Sequence, residues 1–118
     1  MRLRRVFVTA FLVFLLAPGL AFADGDAAKG KKVYDQYCVT CHGPSGKGDG
    51  QAAAALNPKP RDFTDKGIMD SMTDEHIFKV IQAGGAAVGK SPMMPPWGGA
   101  LKDDDIHNVI SFIREFSK

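Results

Sequence analysis

The sequence contains few of the residues that build zinc sites and disulfide frameworks. Its 118 residues include only two cysteines and three histidines. A structural zinc site needs four ligands, usually in two separated pairs, and His76 and His107 stand apart from both cysteines. A disulfide between cysteines separated by two residues would close a very tight loop. The composition therefore argues against both kinds of site.

The sequence also lacks an apolar run long enough for a comfortable transmembrane helix. The run from Val6 to Leu16, interrupted only by Thr9, is shorter than the roughly 20 residues that a span requires. Three arginines precede it, and Ala21-Phe22-Ala23 follows with small residues where a signal peptidase cleaves. We predict a cleaved secretory signal peptide over residues 1–23, with an uncleaved N-terminal anchor as the alternative, and a single domain over residues 24–118.

An excess of positive charge is missing once the predicted signal peptide is removed. The full chain has 15 basic and 13 acidic residues, and the three lost arginines reduce the basic count to 12, for a net charge near −1. Binding to nucleic acid therefore has no support. A domain of this size gains only marginal stability from its own core, so a large bound cofactor would contribute to its interior.

The two cysteines occur in the segment Cys38-Val39-Thr40-Cys41-His42. This C-x-x-C-H pattern is typical of covalent haem attachment. One helical turn brings both thiols to the same side, where they can add to two vinyl groups of one porphyrin edge, and His42 can supply the proximal iron ligand. A carbonyl of the Pro58-Lys59-Pro60 stretch could accept the Nδ1 proton of His42. A thioredoxin-like pair would follow a strand of a βαβ unit, and no such alternation is present.

Three segments have the pattern of helices. Residues 27–37 lead into the cysteine motif, and Gly30 lies inside this helix at a cost of about 1 kcal/mol, which predicts close approach by another helix. Thr73 is a suitable N-cap for a helix ending near Ala83. The most strongly amphipathic segment is 103–116, with three aspartates in its first turn.

The segment Gly84–Ser91 matches the phosphate-binding pattern G-x-x-x-x-G-K-[ST] in every position. That motif functions between a strand and a helix whose N-terminus faces the phosphate. Here a predicted helix precedes the segment, and Pro92, Pro95 and Pro96 prevent a helix after it. We therefore predict no nucleotide binding.

Two adjacent methionines offer a second iron ligand. A thioether is a soft ligand that suits haem iron opposite a histidine. Met94 is the better candidate because Pro95 directly follows it and restricts its backbone, and Met93 is the alternative. Met69 and Met72 are less favoured, since they lie in a polar segment.

Two further side chains could contact a haem. Trp97 is expected to cover the haem or the ligand-bearing loop by apolar packing. Arg61 could bind a haem propionate through two hydrogen bonds, or it could instead be solvated and paired with Asp62 or Asp65.

With these residues in place, residues 27–116 resemble a class I c-type cytochrome. The segment Met94-Pro95-Pro96-Trp97-Gly98 is similar to the Met-Pro-Pro-Trp/Phe-Gly motif of small bacterial single-haem members. The resemblance implies an all-α fold of three to five helices around one covalently bound haem c. It implies that the first and last helices cross near Gly30, Tyr34 and Phe112. Lys102 stands where the family often has a serine or threonine cap, so we expect the last helix to begin at Asp103.

The same resemblance implies the roles of the site residues. Cys38 and Cys41 would be the thioether attachments, His42 the proximal ligand and Met94 the distal ligand. The segment Pro60–Phe63 is similar to one that many such domains place along a haem edge.

We therefore predict a monomeric periplasmic electron carrier, not an enzyme, that passes single electrons through Fe(II)/Fe(III). It would exchange electrons with redox proteins, such as a donor dehydrogenase or reductase and an acceptor oxidase or cytochrome, without stable membrane insertion. Exposed lysines could speed those encounters; the candidates are Lys29, Lys31, Lys32, Lys47 and Lys90. The alternative is a haem subunit docked in a larger periplasmic oxidoreductase. An open-site haem enzyme or gas sensor is disfavoured, because no obvious distal acid–base residue is present.

Overall fold

The fold is all-α, as the sequence predicts. The computed structural model describes residues 25–118, and the predicted signal peptide over residues 1–23 lies outside the described residues. Within residues 25–118 there are five α-helices, two short 3₁₀-helices and no strand. The α-helices are α1 (Ala27–Tyr37), α2 (Val39–His42), α3 (Lys66–Ser71), α4 (Asp74–Ala83) and α5 (Asp103–Glu115). The 3₁₀-helices cover Ala53–Ala55 and Ala86–Val88.

Helices α1 and α5 cross in close contact at Gly30. A Cβ atom at this position would collide with the backbone carbonyl of Asn108 in α5, so only glycine allows the approach. One turn later, the ring of Tyr34 meets that of Phe112 edge-on, with ring centroids 5.2 Å apart. The predicted crossing of the first and last helices is therefore confirmed.

Helix α5 supplies more buried apolar residues than any other helix in residues 25–118. It begins at Asp103, as predicted, and the carboxylate of Asp105 accepts the Lys102 backbone N–H at 3.2 Å. A lysine side chain has no acceptor and cannot cap a helix start, so the Asp105 carboxylate supplies the hydrogen bond there. The buried residues of α5 recur at helical spacing: Ile106, Val109, Ile110 and Ile113.

Helix α4 begins and ends at the predicted residues. The hydroxyl of Thr73 accepts the His76 N–H at 3.1 Å, and Ile77 and Ile81 face the core. Gly84 follows with a positive φ of 84°, a conformation that glycine adopts without steric cost. A helix thus precedes the segment that resembles a phosphate-binding loop.

Helix α3 was not predicted. The carboxylate of Asp65 caps it by accepting the Ile68 N–H at 3.0 Å, and its one buried residue is Met69, with 0% exposure. Six residues are too few to show a helical apolar repeat, so the sequence alone does not distinguish this turn from a loop.

The guanidinium of Arg114 connects α3, α4 and α5. From α5 it donates to the carbonyls of Met69 and Met72, each at 2.6 Å, and to the carboxylate of Asp74 at 2.9 Å. These bonds satisfy carbonyls at the end of α3 and place a charge pair at the start of α4.

Among the helices of residues 25–118, none is long and apolar enough to cross a membrane.

Candidate haem site

The cysteine motif forms a single turn of helix. Cys38 is the residue before α2, and its carbonyl accepts the His42 N–H at 2.9 Å. Both cysteines are free, with Cys38 buried and Cys41 partly exposed. Burial, followed by the influence of Cys41, raises the pKa of the Cys38 thiol to about 12. At neutral pH the Cys38 side chain is therefore an uncharged thiol.

The imidazole of His42 is uncharged at neutral pH. Burial lowers its pKa to about 4, because the charged form loses hydration that no neighbouring group replaces. A neutral ring has a free nitrogen lone pair, which is the form that coordinates iron. The ring stacks on Phe63 with centroids 4.7 Å apart and an interplanar angle of 14°.

The predicted hydrogen bond from His42 to a proline carbonyl is wrong. Within residues 25–118, the Nδ1 atom of His42 is buried and has no hydrogen-bond partner. The Pro60 carbonyl lies against Gly48 instead, at a point where a Cβ atom of residue 48 would collide with it. The face of the imidazole is covered by the ring of Phe63.

The glycine-rich loop of residues 43–50 closes over the end of α2. The N–H of Gly48 donates to the carbonyl of His42 at 2.8 Å, and the N–H of Gly50 donates to that of Cys41 at 3.1 Å. The hydroxyl of Tyr34 donates to the carbonyl of Gly43 at 2.6 Å. Exposed carbonyls at a helix end need such partners, and the loop therefore holds the motif from its C-terminal side.

The two adjacent methionines lie in different environments. Met94 is partly buried and packs against the apolar core, whereas Met93 is 62% exposed. The carbonyl of Met94 accepts the N–H of Gly85 at 3.0 Å, which ties this segment to the end of α4. Of these two adjacent methionines, only Met94 thus packs against the core.

Trp97 packs beside the same core. The centroid of its ring lies 5.4 Å from that of Tyr37 in α1. The backbone N–H of Trp97 donates to the carbonyl of Ile81 at 2.9 Å. The contact joins the segment after Met94 to the helix that precedes Cys38. The structure therefore brings Met94 and Trp97 to the core that includes Cys38.

Arg61 is exposed, and its side chain makes no hydrogen bond or ion pair within residues 25–118. The pairing with Asp62 or Asp65 that we considered is not present. The carboxylate of Asp62 instead accepts the hydroxyl and the N–H of Thr64 at 2.6 and 2.8 Å. These bonds lower the pKa of Asp62. The guanidinium is left available to a ligand.

Phe63 is the contact of His42 that the sequence did not identify. It is buried, with 8% exposure, although it stands between polar residues in the sequence. The available signal was that isolated phenylalanine, two residues after an exposed arginine.

The five lysines predicted to speed encounters with redox proteins are all exposed, and Lys31 pairs with Asp35 at 2.5 Å.

The residues present fit a haem. Two free thiols lie on one helical turn, a neutral imidazole directly follows the second, and a partly buried thioether packs against the same apolar core. This combination of attachment thiols, nitrogen and sulfur ligands, and apolar surroundings suits a covalently attached haem.

Comparison with known proteins yields one family. The model of the family Cytochrome c matches residues 27–117. The chain is 31% identical over 94 residues to cytochrome c-554(547) of Halothiobacillus neapolitanus, covering 75% of this chain and 94% of that protein. It is 32% identical over 88 residues to the cbb3-type cytochrome c oxidase subunit FixP of Bradyrhizobium diazoefficiens, covering 75% of this chain but only 27% of that subunit.

Two solved structures resemble the fold. The KustC0563 c-type cytochrome has a TM-score of 0.61 and 28% identity, over 75% of this chain and 98% of that one. A chain of the Kuenenia stuttgartiensis reducing HAO-like protein complex Kustc0457/Kustc0458 has a TM-score of 0.64 and 30% identity, over 80% of this chain and 44% of that one. The chain therefore belongs to the cytochrome c family, as a class I c-type cytochrome that binds haem c covalently and transfers electrons.

Proposed function

We propose that this protein is a periplasmic monohaem carrier of single electrons. In this proposal Cys38 and Cys41 form the thioether attachments, His42 is the proximal iron ligand and Met94 is the distal ligand. The observation that carries the proposal is the neutral, partly buried imidazole of His42 beside two free thiols on one turn. When bound, the haem supplies reversible one-electron exchange between Fe(II) and Fe(III).

The chain's own residues hold the two ligands and exclude water. Helix α2 and the loop of residues 43–50 hold His42, while the bond between Gly85 and Met94 holds the distal segment. The contact between Trp97 and Tyr37 closes one side of the core. A thioether ligand favours Fe(II) and raises the reduction potential relative to a second imidazole. With His42 and Met94 both holding the iron, no coordination position would be left for a substrate.

Arg61 is proposed to bind a haem propionate. Its guanidinium is exposed and makes no ion pair within residues 25–118, and a guanidinium can bind a carboxylate through two parallel hydrogen bonds. The ionisation of a haem propionate makes the reduction potential change with pH. Replacing Arg61 with glutamine should reduce this change, or shift the pH at which it is half complete. An unchanged profile would assign Arg61 to solvent.

Absorbance spectroscopy tests the ligand assignment. Protein expressed with haem attachment should give a low-spin c-type spectrum with a weak far-red iron–methionine band in the ferric state. This band should disappear in Met94→Ala and persist in Met93→Ala, which is the matched control because Met93 is exposed. The opposite result would exchange the two roles. A high-spin spectrum, or rapid carbon monoxide binding by the untreated ferrous protein, would instead favour an open-site enzyme or sensor.

A docked subunit of a larger oxidoreductase is the second candidate. It is favoured by the match to 27% of an oxidase subunit and to 44% of a chain in a protein complex. The free carrier is favoured by the match to 94% of the length of cytochrome c-554(547). Purification of the untagged protein from its native cells distinguishes the two, because a subunit would co-purify with fixed partners at constant stoichiometry. A free carrier should elute as a monomer.

Export is proposed to depend on residues 1–23. The motif of three arginines, an apolar run and Ala21-Phe22-Ala23 supports cleavage after Ala23. N-terminal sequencing of the haem-containing periplasmic protein should then begin at Asp24. Intact protein retained in the membrane fraction would favour an uncleaved anchor.

A further inference from the structure

The ring of Phe63 covers one face of the His42 imidazole. The two ring centroids lie 4.7 Å apart and the planes differ by 14°, which is the geometry of an offset stack. Phe63 is also held by its backbone, whose N–H donates to the carbonyl of Gly46 at 2.7 Å. We propose that Phe63 is a positioning residue, and that stacking on its ring sets the plane of the His42 imidazole.

Among residues 25–118, no hydrogen bond from a protein group to the imidazole Nδ1 atom sets that plane. A histidine that binds a metal usually donates its other ring N–H to a carboxylate, a carbonyl or water, and this bond determines the ring orientation. The Nδ1 atom of His42 is buried and has no such partner within residues 25–118. The torsion that rotates an imidazole has broad minima, so a ring without a hydrogen bond requires another restraint. The parallel face of Phe63 provides it.

The position of Phe63 is determined by the chain around it. On one side its N–H is bonded to Gly46, in the loop that closes over α2. On the other side, Asp62 accepts two hydrogen bonds from Thr64 and its carbonyl accepts the N–H of Asp65 at 3.2 Å. These turn bonds fix the backbone on both sides of the ring, and the ring itself is buried. Phe63 therefore presents a fixed surface to the imidazole.

The inference rests on the proposed role of His42 as an iron ligand, and proton NMR of the ferric holoprotein tests it. The order and spread of the four haem methyl shifts depend on the orientation of the axial ligand plane. We expect Phe63→Leu to keep a low-spin spectrum while changing the order of these shifts. Phe63→Tyr, which retains a ring, should keep the wild-type order.

Phe112→Leu is the matched control. Phe112 is a partly buried aromatic residue whose ring packs on those of Tyr34 and Phe116 and, within residues 25–118, does not stack on His42. This variant should lose stability but keep the wild-type order of methyl shifts. A general loosening of the core would alter the shifts in both leucine variants, whereas a positioning role alters them in Phe63→Leu alone.

An unchanged methyl order in a low-spin Phe63→Leu protein would overturn the inference. If that variant does not accumulate with haem, the wild-type ferrous protein decides the question. Nuclear Overhauser contacts between the ring protons of His42 and Phe63 are expected, and their absence would show that the rings do not stack. Failure of the proposed function has a different signature, namely a wild-type protein that is high-spin or has no histidine ligand.

Discussion

At the scale of single residues, Tyr34 joins α1 to the loop after the cysteine motif. Its ring is 1% exposed and lies among Phe112 and Phe116, and its hydroxyl donates to the carbonyl of Gly43. Burial, followed by nearby Cys38, Asp35 and Asp49, raises the pKa of Tyr34. The phenol therefore remains a hydrogen-bond donor throughout the physiological pH range.

We expect Tyr34→Phe to lower the free energy of unfolding by about 1–3 kcal/mol, because the buried carbonyl of Gly43 loses its donor. Urea denaturation followed by far-UV circular dichroism measures the change, with an unaltered dependence on urea. The control is Tyr37→Phe, which removes a half-buried hydroxyl that makes no hydrogen bond within residues 25–118 and should cost less than about 0.5 kcal/mol. Equal losses in both variants would contradict the role of the Gly43 bond.

At the scale of helices, the contact between α1 and α5 depends on the missing side chain of residue 30. A methyl group there would meet the Asn108 carbonyl, which belongs to the α5 backbone and cannot rotate away. The helices would have to separate at the place where Tyr34 and Phe112 pack. An alanine that favours an isolated helix therefore destabilises this pair.

Gly30→Ala should lower the free energy of unfolding by about 2–4 kcal/mol, despite a gain of about 1 kcal/mol in helix propensity. Thermal unfolding of the holoprotein measures the difference. Gly99→Ala is the control, because a Cβ atom at Gly99 would have no heavy atom within 4 Å, and we expect it to stay within about 0.5 kcal/mol of the wild type. A wild-type melting temperature for Gly30→Ala would mean that the helices are farther apart than described.

The connection made by Arg114 gives a second prediction at this scale. Arg114→Leu would remove the donor of the Met72 carbonyl, one of the two donors of the Met69 carbonyl, and the charged partner of Asp74. Since hydrogen bonds to charged groups contribute about 1.5–3 kcal/mol each in favourable geometry, we expect a loss of about 2–4 kcal/mol.

Hydrogen exchange shows where the Arg114→Leu protein loosens. Amides of α3 and the first turn of α4 should lose protection before those of α1, because the lost bonds lie at the α3–α4 junction. Lys79→Leu provides the control, since this exposed ammonium group on α4 makes no ion pair within residues 25–118. Uniform loss of protection along the chain would indicate that Arg114 acts on global stability only.

Helix boundaries were predictable where a cap or a glycine marks them. Thr73 and Gly84 delimit α4, and the aspartates after Lys102 mark the start of α5. Helix α3 was missed because its one buried residue shows no repeat. The surroundings of His42 could not be predicted, since Phe63 is positioned by a hydrogen bond to Gly46 and Pro60 by close contact with Gly48, both in the distant 43–50 loop.

At the scale of the whole molecule, the net charge of the chain differs in sign from the charge near the proposed iron ligands. Without residues 1–23 the chain has a net charge near −1, which would repel anions weakly. Lys47 follows the cysteine motif and Lys90 precedes Met94, so both exposed ammonium groups flank the segments that carry the proposed ligands. At about 0.1 M salt, charges farther than roughly 10 Å are largely screened, so local lysines should dominate encounters there.

We therefore expect an anionic reagent to reduce the ferric protein faster at low salt than at high salt. The rate should fall by a factor of about 2–10 as salt is raised. Replacing both Lys47 and Lys90 with glutamine should remove most of this dependence in stopped-flow measurements with ferrocyanide. Lys118→Gln is the control, because Lys118 pairs with Glu115 at the end of α5. A rate that rises with salt would show that net charge prevails.

The contact between α1 and α5 also has a consequence for the order of events during biosynthesis. The N–H of Asp26 donates to the side chain of Asn108, and these residues are 82 positions apart. The cysteine motif lies on the amino-terminal side of its helical partner α5 in the chain. In the folded protein Cys38 is only 8% exposed. We therefore expect attachment of the haem at this thiol to precede the final packing of α5 against α1.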